Sequence, residues 1–166
     1  MSVQTPMTDV LIVTGGLTPQ VVTATVYALS LAYKKHGPQS FLPMRIICVV
    51  TGNVAERFGS HLENALSRLA EDVGLSVTWG PLIIAVPKTA SGDHLADVRT
   101  DDDAVLFGDF ISELVRNETS DPQSRVYLSL AGGRKTMSFH GGAAMGLWAR
   151  PQDLLPPVKN RAFLAA

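Results

Sequence analysis

The chain has 166 residues, a length that suits one domain able to bury about 70% of the surface its unfolded form exposes. Hydrophobic residues make up 46% and charged residues 17%, and 14 Lys+Arg stand against 15 Asp+Glu, which excludes a disordered chain and a globally basic protein built to coat long nucleic acid. An anionic ligand must therefore meet a local site.

The first predicted element is a strand over Asp9 to Thr14, a β-branched apolar run of the kind buried on both faces, ending in Gly15-Gly16. Thr18-Pro19 then reads as an N-cap and N1 proline, and Val22, Val26, Leu29 and Tyr33 recur at helical spacing until Gly37-Pro38 stops the pattern. Met44 to Thr51 is a second buried strand, and its Cys48 reads as a small core residue. With one cysteine, neither an intramolecular disulfide nor a multi-cysteine zinc site is possible. Gly52-Asn53 opens a helix with one apolar stripe from Phe58 to Val73, closed by Gly74. Leu75 to Trp79 and Leu82 to Val86 are short strand-like pieces, followed by a polar loop over Lys88 to Thr100. Asp101-Asp102-Asp103 starts a third helix with Phe107, Phe110, Ile111 and Leu114 inward, and Asn117 to Ser124 reads as a turn-rich connection. Arg125 to Leu130 is a further strand, and after Ala131 to Thr136 a small-residue helix runs to Ala149, where Pro151 halts it.

Alternating strands and helices of this kind predict a three-layer α/β sandwich with a mostly parallel sheet. The division expected is a flexible leader over 1–8, one domain over 9–153 and a tail over 154–166. The longest apolar runs fall far short of the roughly 18 residues that span a bilayer, and the leader has no basic or apolar region of a signal peptide. The expectation is a soluble, cytoplasmic protein without membrane partners.

In such a sheet ligands bind beyond the carboxyl ends of the strands where strand order reverses, so the loops after Thr14 and Leu130 should meet. Both join a strand to a helix through glycines, directing backbone N–H groups and a helix N-terminus at one place; glycine at a tight turn can equally serve geometry alone. The second loop adds Arg134, Lys135 and Thr136, and cations in a first turn oppose the helix dipole, a conflict that a bound phosphate would remove. Neither loop is a dinucleotide fingerprint or a Walker loop. His36, His61, His94 and His140 are scattered singly, and helix capping accounts for Asp101 to Asp103, so no metal site or cofactor is expected.

The segments Thr14 to Thr23 (TGGLTPQVVT), Asp97 to Thr100 (DVRT) and Ser129 to Met137 (SLAGGRKTM) resemble those of a CRISPR-associated family with the CARF domain, a Rossmann-like fold, related to stand-alone ring nucleases. The resemblance runs from about Asp9 to Asp153. It implies a homodimer that binds a cyclic oligoadenylate, usually cyclic tetra-adenylate, across its two-fold axis and cuts it without metal, switching off type III CRISPR signalling. Carried over by position, it implies catalytic roles for Lys135 and Thr18 and substrate contacts from Gly15, Gly16, Leu17 and Gln20 in the first loop. In the second loop the implied contacts are Ser129, Gly132, Gly133, Arg134 and Thr136. The chain departs from the pattern at Ala104, where the family has asparagine, and after Asp153, where similar proteins continue into another strand; Lys159 and Arg161 are the basic residues of this tail. The alternative is a dimer that senses the same ring without cutting it and acts through a partner; a third reading is an unrelated nucleotide-binding module, which leaves Arg134-Lys135 unassigned.

Overall fold

The computed structural model describes residues 7–74 and 79–154, apart from the Ser60 side chain. Eight elements follow in order: β1 (Thr8–Thr14), α1 (Gln20–His36), β2 (Arg45–Val49), α2 (Gly52–Val73), β3 (Leu82–Ala85), α3 (Asp101–Ser120), β4 (Ser124–Ser129) and α4 (Lys135–Trp148). The strands form one sheet in the order β3-β2-β1-β4, and every pairing is parallel. The fold is thus Rossmann-like α/β, with the reversal of strand order between β1 and β4.

The three layers follow from the two-residue period of the strands. Val10 and Ile12 of β1, Ile47 and Val49 of β2, and Val126 and Leu128 of β4 face one way, against Phe107, Ile111 and Val115 of α3 and Met137, Ala144 and Met145 of α4. Leu11, Val13, Ile46 and Cys48 face the other way, against Val22 and Val26 of α1 and Phe58, Leu62 and Leu66 of α2. Each central strand is apolar on both faces because each face is covered by a helix pair. Burial pushes the Cys48 thiol up to about 12, consistent with a packing role.

Several boundaries differ from the sequence expectation. Helix α1 begins at Gln20, and Thr18 makes no side-chain cap; Val21 and Val22 donate to the carbonyls of Thr18 and Pro19, so a tight i→i+3 turn replaces the cap. Residues Asn117 to Ser120, expected in a turn, complete α3, because the Thr119 and Ser120 hydroxyls fold back onto the Val115 and Asn117 carbonyls. Of the expected strand piece at 75–79, residues 75–78 lie outside the described residues; Trp79 is in no strand and donates its indole N–H to the Leu66 carbonyl at 2.9 Å. Leu154, placed in the tail, pairs in parallel with Tyr127 on the free edge of β4, exchanging bonds with Leu128 and Val126. Asp153 supports that edge by accepting from the Val126 amide at 2.8 Å and from Arg150 at 2.9 Å. Residues 155–166, with Lys159 and Arg161, lie outside the described residues. No helix among the described residues is long and apolar enough to cross a membrane.

At the amino ends of the strands, the Arg125 guanidinium grips both oxygens of the buried Asp9 carboxylate at 2.8 and 2.7 Å and lies over the Phe41 ring. A depression of about 680 Å³ opens there, but Asp9 and Arg125 satisfy each other, and the Leu42 amide also donates to Asp9 at 2.6 Å. This end of the sheet is a structural clasp, and the two glycine loops lie at the other.

Candidate functional site

The loops after β1 and β4 meet at the carboxyl ends of their strands. The Thr14 hydroxyl, buried at the end of β1, donates to the Gly132 carbonyl at 2.7 Å. A Cβ on Gly132 would stand 2.3 Å from the Thr14 carbonyl oxygen, and one on Gly16 would stand 3.1 Å from the Gly133 Cα. The two glycine loops are therefore packed backbone to backbone, closer than a side chain would permit. Gly133 adopts φ of 81°, which turns the chain into α4 and which other residues rarely adopt. Ser138, one turn into α4, donates to the Leu130 and Gly132 carbonyls at 3.1 and 3.2 Å and ties the loop to the helix.

Helix α4 starts at Lys135 with no side-chain cap and no acidic residue in its first turn. Arg134 occupies the N-cap position and, having only donors, cannot accept the amides that a cap would satisfy. Open first-turn amides with Lys135 and Thr136 exposed beside them form a positive surface suited to an anion. Leu17 and Thr18 of the first loop are likewise exposed. A hollow of about 550 Å³ adjoins them, lined by Leu17, Asn53, Glu56, Arg57, His94 and Ala96.

Arg134 has a partner of its own: its Nε donates to Asp97 Oδ1 at 3.0 Å and its Nη2 to Oδ2 at 2.7 Å. The same carboxylate accepts from the Val98 amide at 2.9 Å and from Arg99 Nε at 3.1 Å. The Arg134 hydrogen bonds hold the Asp97 carboxyl below the usual carboxylate range, against a weaker opposing effect of burial. Asp97 belongs to the long β3–α3 connection, whose Leu95 and Ala96 carbonyls accept from the Gly52 and Asn53 amides at the start of α2. That connection thus crosses the carboxyl end of the sheet from β3 to the α4 N-terminus.

The family model described as CRISPR-associated protein NE0113 matches residues 18–158, most of the chain. The chain belongs to this CRISPR-associated family. Comparison with curated proteins gives no match. The family match contains Thr18, the Asp97 to Thr100 segment and the whole Gly132 to Thr136 loop, so both sides of the loop junction fall within or beside the CRISPR-associated region.

The residues singled out from sequence divide by exposure. Leu17, Thr18, Gln20, Gly133, Arg134, Lys135 and Thr136 are exposed at the junction and open to a ligand. Gly15, Ser129 and Gly132 are buried within the loop junction. The Gly15 amide is spent on the Val49 carbonyl at 2.8 Å, and a Cβ there would strike Val50 and Phe58. The Ser129 hydroxyl faces the Ala131 amide at 3.4 Å. Among the described residues no group of three or more His, Cys, Asp or Glu is placed to hold a metal ion. Asp103 caps α3 instead: it accepts from the Thr100 amide at 2.9 Å while its own amide donates to the Thr100 hydroxyl at 3.1 Å. Sequence reasoning assigned no role to Thr14, Ser138 or Asp97. Thr14 carries a weak signal, a hydroxyl closing an apolar strand, and Asp97 stood in a motif segment whose partner only the fold brings near.

Proposed function

We propose that this protein is a ring nuclease: a homodimer that binds a cyclic oligoadenylate, cyclic tetra-adenylate first among them, and cleaves it without metal. The observation that carries the reading is the uncapped α4 N-terminus, with Arg134, Lys135 and Thr136 around it, packed directly against the Gly16 loop at the strand reversal. Membership of a CRISPR-associated family supports the reading, because the sequence resemblance described above implies a ring of this kind as the signal.

The chemistry needs little from the protein. Each 3′–5′ phosphodiester of the ring has a ribose 2′-hydroxyl beside it, so O2′ attacks phosphorus, the bond to O5′ breaks, and the hydroxyl proton passes to the leaving oxygen by way of solvent. Each cut leaves a 2′,3′-cyclic phosphate and a 5′-hydroxyl, and two cuts of the tetra-adenylate ring give linear di-adenylates. Holding O2′, phosphorus and O5′ in line can be worth about 7–11 kcal/mol in favourable cases. In this reading Thr18 orients the ribose, the open amides of α4 bind the phosphate oxygens, and the Lys135 ammonium stabilises the charge that builds on the phosphorane, a contribution of about 3 kcal/mol. The ring is two-fold symmetric, which suits a site presented twice by a homodimer. Helix α4 carries an exposed strip, Phe139, Ala143, Gly146 and Leu147, running away from the site, and a second copy of the chain is the partner this reading seats there.

The test is to incubate the protein with cyclic tri-, tetra- and hexa-adenylate in EDTA and resolve the products by chromatography. Linear products ending in 2′,3′-cyclic phosphate support the proposal. Tight binding without products makes the protein a sensor, and no binding of any ring refutes both.

A further inference from the structure

The Arg134 side chain is 56% exposed, a long flexible cation that at an anion site would lose considerable rotamer freedom on binding. Its position is nevertheless fixed. Asp97 takes two of the five guanidinium N–H groups and leaves three, including both on Nη1, directed away from the carboxylate. Asp97 is itself held on several sides: Leu95 and Val98 on either side of it are buried in the core, and four donors fill its two oxygens. Further along, the Arg99 amide donates to the Asp103 cap of α3 at 3.0 Å, so the segment is secured at both ends. A bidentate ion pair with one rigid member aims the other. Arg99 makes a single bond to the same carboxylate and is 74% exposed, so it completes the carboxylate rather than competing for the site.

We infer that Asp97 is a positioning residue: it holds the Arg134 guanidinium at the N-terminus of α4 with its free N–H groups ready for a phosphodiester, so that the arginine is ordered before the anion arrives. This rests on the phosphate-binding reading of the α4 loop given above and adds to it a residue of the β3–α3 connection. Asp97 touches no reacting atom and acts only through Arg134. An arginine ordered in advance binds more tightly because the ordering cost is met in folding.

The experiment is a double-mutant cycle on Asp97→Asn and Arg134→Ala in the full chain, reading affinity for cyclic tetra-adenylate and for inorganic phosphate. Nitrogen NMR of the Arg134 Nε–H and a thermal melt of each variant accompany it. The result expected is that Asp97→Asn weakens binding about tenfold in the parent and has no effect in the Arg134→Ala background, a coupling of about 1.4 kcal/mol. The Nε–H should exchange slowly in the parent and rapidly in Asp97→Asn, while the melts remain cooperative. Equal losses from Asp97→Asn with and without Arg134 would overturn the inference, as would an unchanged Nε–H. If Asp97→Asn fails to fold, the parent decides: an Nε–H that stays protected while phosphate shifts the Nη signals supports the assignment, and loss of that protection on binding overturns it. Phosphate binding with intact coupling but no binding of the ring would refute the ring-nuclease reading and leave Asp97 in its role. Ring binding with additive losses would do the reverse, and a site that takes neither probe would end both.

Discussion

Replacing Gly132 by alanine tests the loop junction without reference to any ligand. The added Cβ would stand 2.3 Å from the Thr14 carbonyl oxygen and 3.3 Å from Val21 Cγ1. Carbon normally keeps about 3.3–3.6 Å from a carbonyl oxygen, so the loops must part by about 1 Å. The obstacle is backbone at the buried end of β1, which cannot rotate away. Overpacking of this kind costs about 1–3 kcal/mol, and parting the loops also stretches the 2.7 Å bond from Thr14, worth about 1 kcal/mol. A total near 3 kcal/mol corresponds to a fall in melting temperature of about 6–12 °C for a domain of this size. Calorimetry of Gly132→Ala beside Thr14→Val separates the parts, since the valine variant loses the hydrogen bond alone and should lose about 1 kcal/mol. A Gly132→Ala protein that melts like the parent would show that the two loops do not pack as described.

Lys135→Ala should fold normally, since a first-turn cation gains nothing from the helix dipole, but should slow single-turnover cleavage about a hundred-fold with a smaller loss of affinity; cleavage at the parental rate would remove Lys135 from the chemistry. Cys48, buried and with its thiol raised to about 12, should resist alkylation in the native protein and react only on unfolding, so rapid labelling under native conditions would contradict the packing of β2. Asp97 and Asp103 both have carboxyls held below their ordinary value of 3.8, Asp97 by Arg134 first and Asp103 by the Arg99 amide first. Each therefore binds its proton more weakly folded than unfolded, and contributes stability that is present above pH 3.8 and lost as pH falls through the lower folded values. Melting temperature should accordingly hold steady through neutral pH and fall below about pH 4, with a shallower acid limb in Arg134→Ala; an acid limb unchanged by that substitution would contradict the Asp97 pair.

The layers were legible because two periods are written plainly in the chain. Runs such as Val10 to Val13 and Ile46 to Val50 have no polar face, which only a strand covered on both sides allows, and the Phe58, Leu62 and Leu66 stripe of α2 has the helical period. The meeting of the two glycine loops followed from the position of β1 and β4 at the reversal of strand order, a rule of topology rather than of local sequence. Local chemistry was the less legible part. Thr119 and Ser120 have the composition of a turn yet sit in α3, because their hydroxyls find carbonyls of the preceding turn. Thr18 resembles a cap but makes none, since Pro19 with φ of −62° enters the helix through a tighter turn. Arg134 read as a free cation, and its partner Asp97 lies 37 positions away on a connection that no periodicity describes. Ser129 and Gly15 lie at the two glycine loops but are buried there, a distinction that exposure alone reveals.

The most direct test of the central claim is phosphorus NMR of cyclic tetra-adenylate held with an equal amount of the protein in EDTA. The single ring phosphodiester signal should give way to a 2′,3′-cyclic phosphate signal together with that of a linear phosphodiester, at a rate about a hundred-fold lower for Lys135→Ala. A ring signal that persists unchanged in EDTA while the protein remains folded, or one that disappears only when a divalent metal is supplied, would contradict that claim.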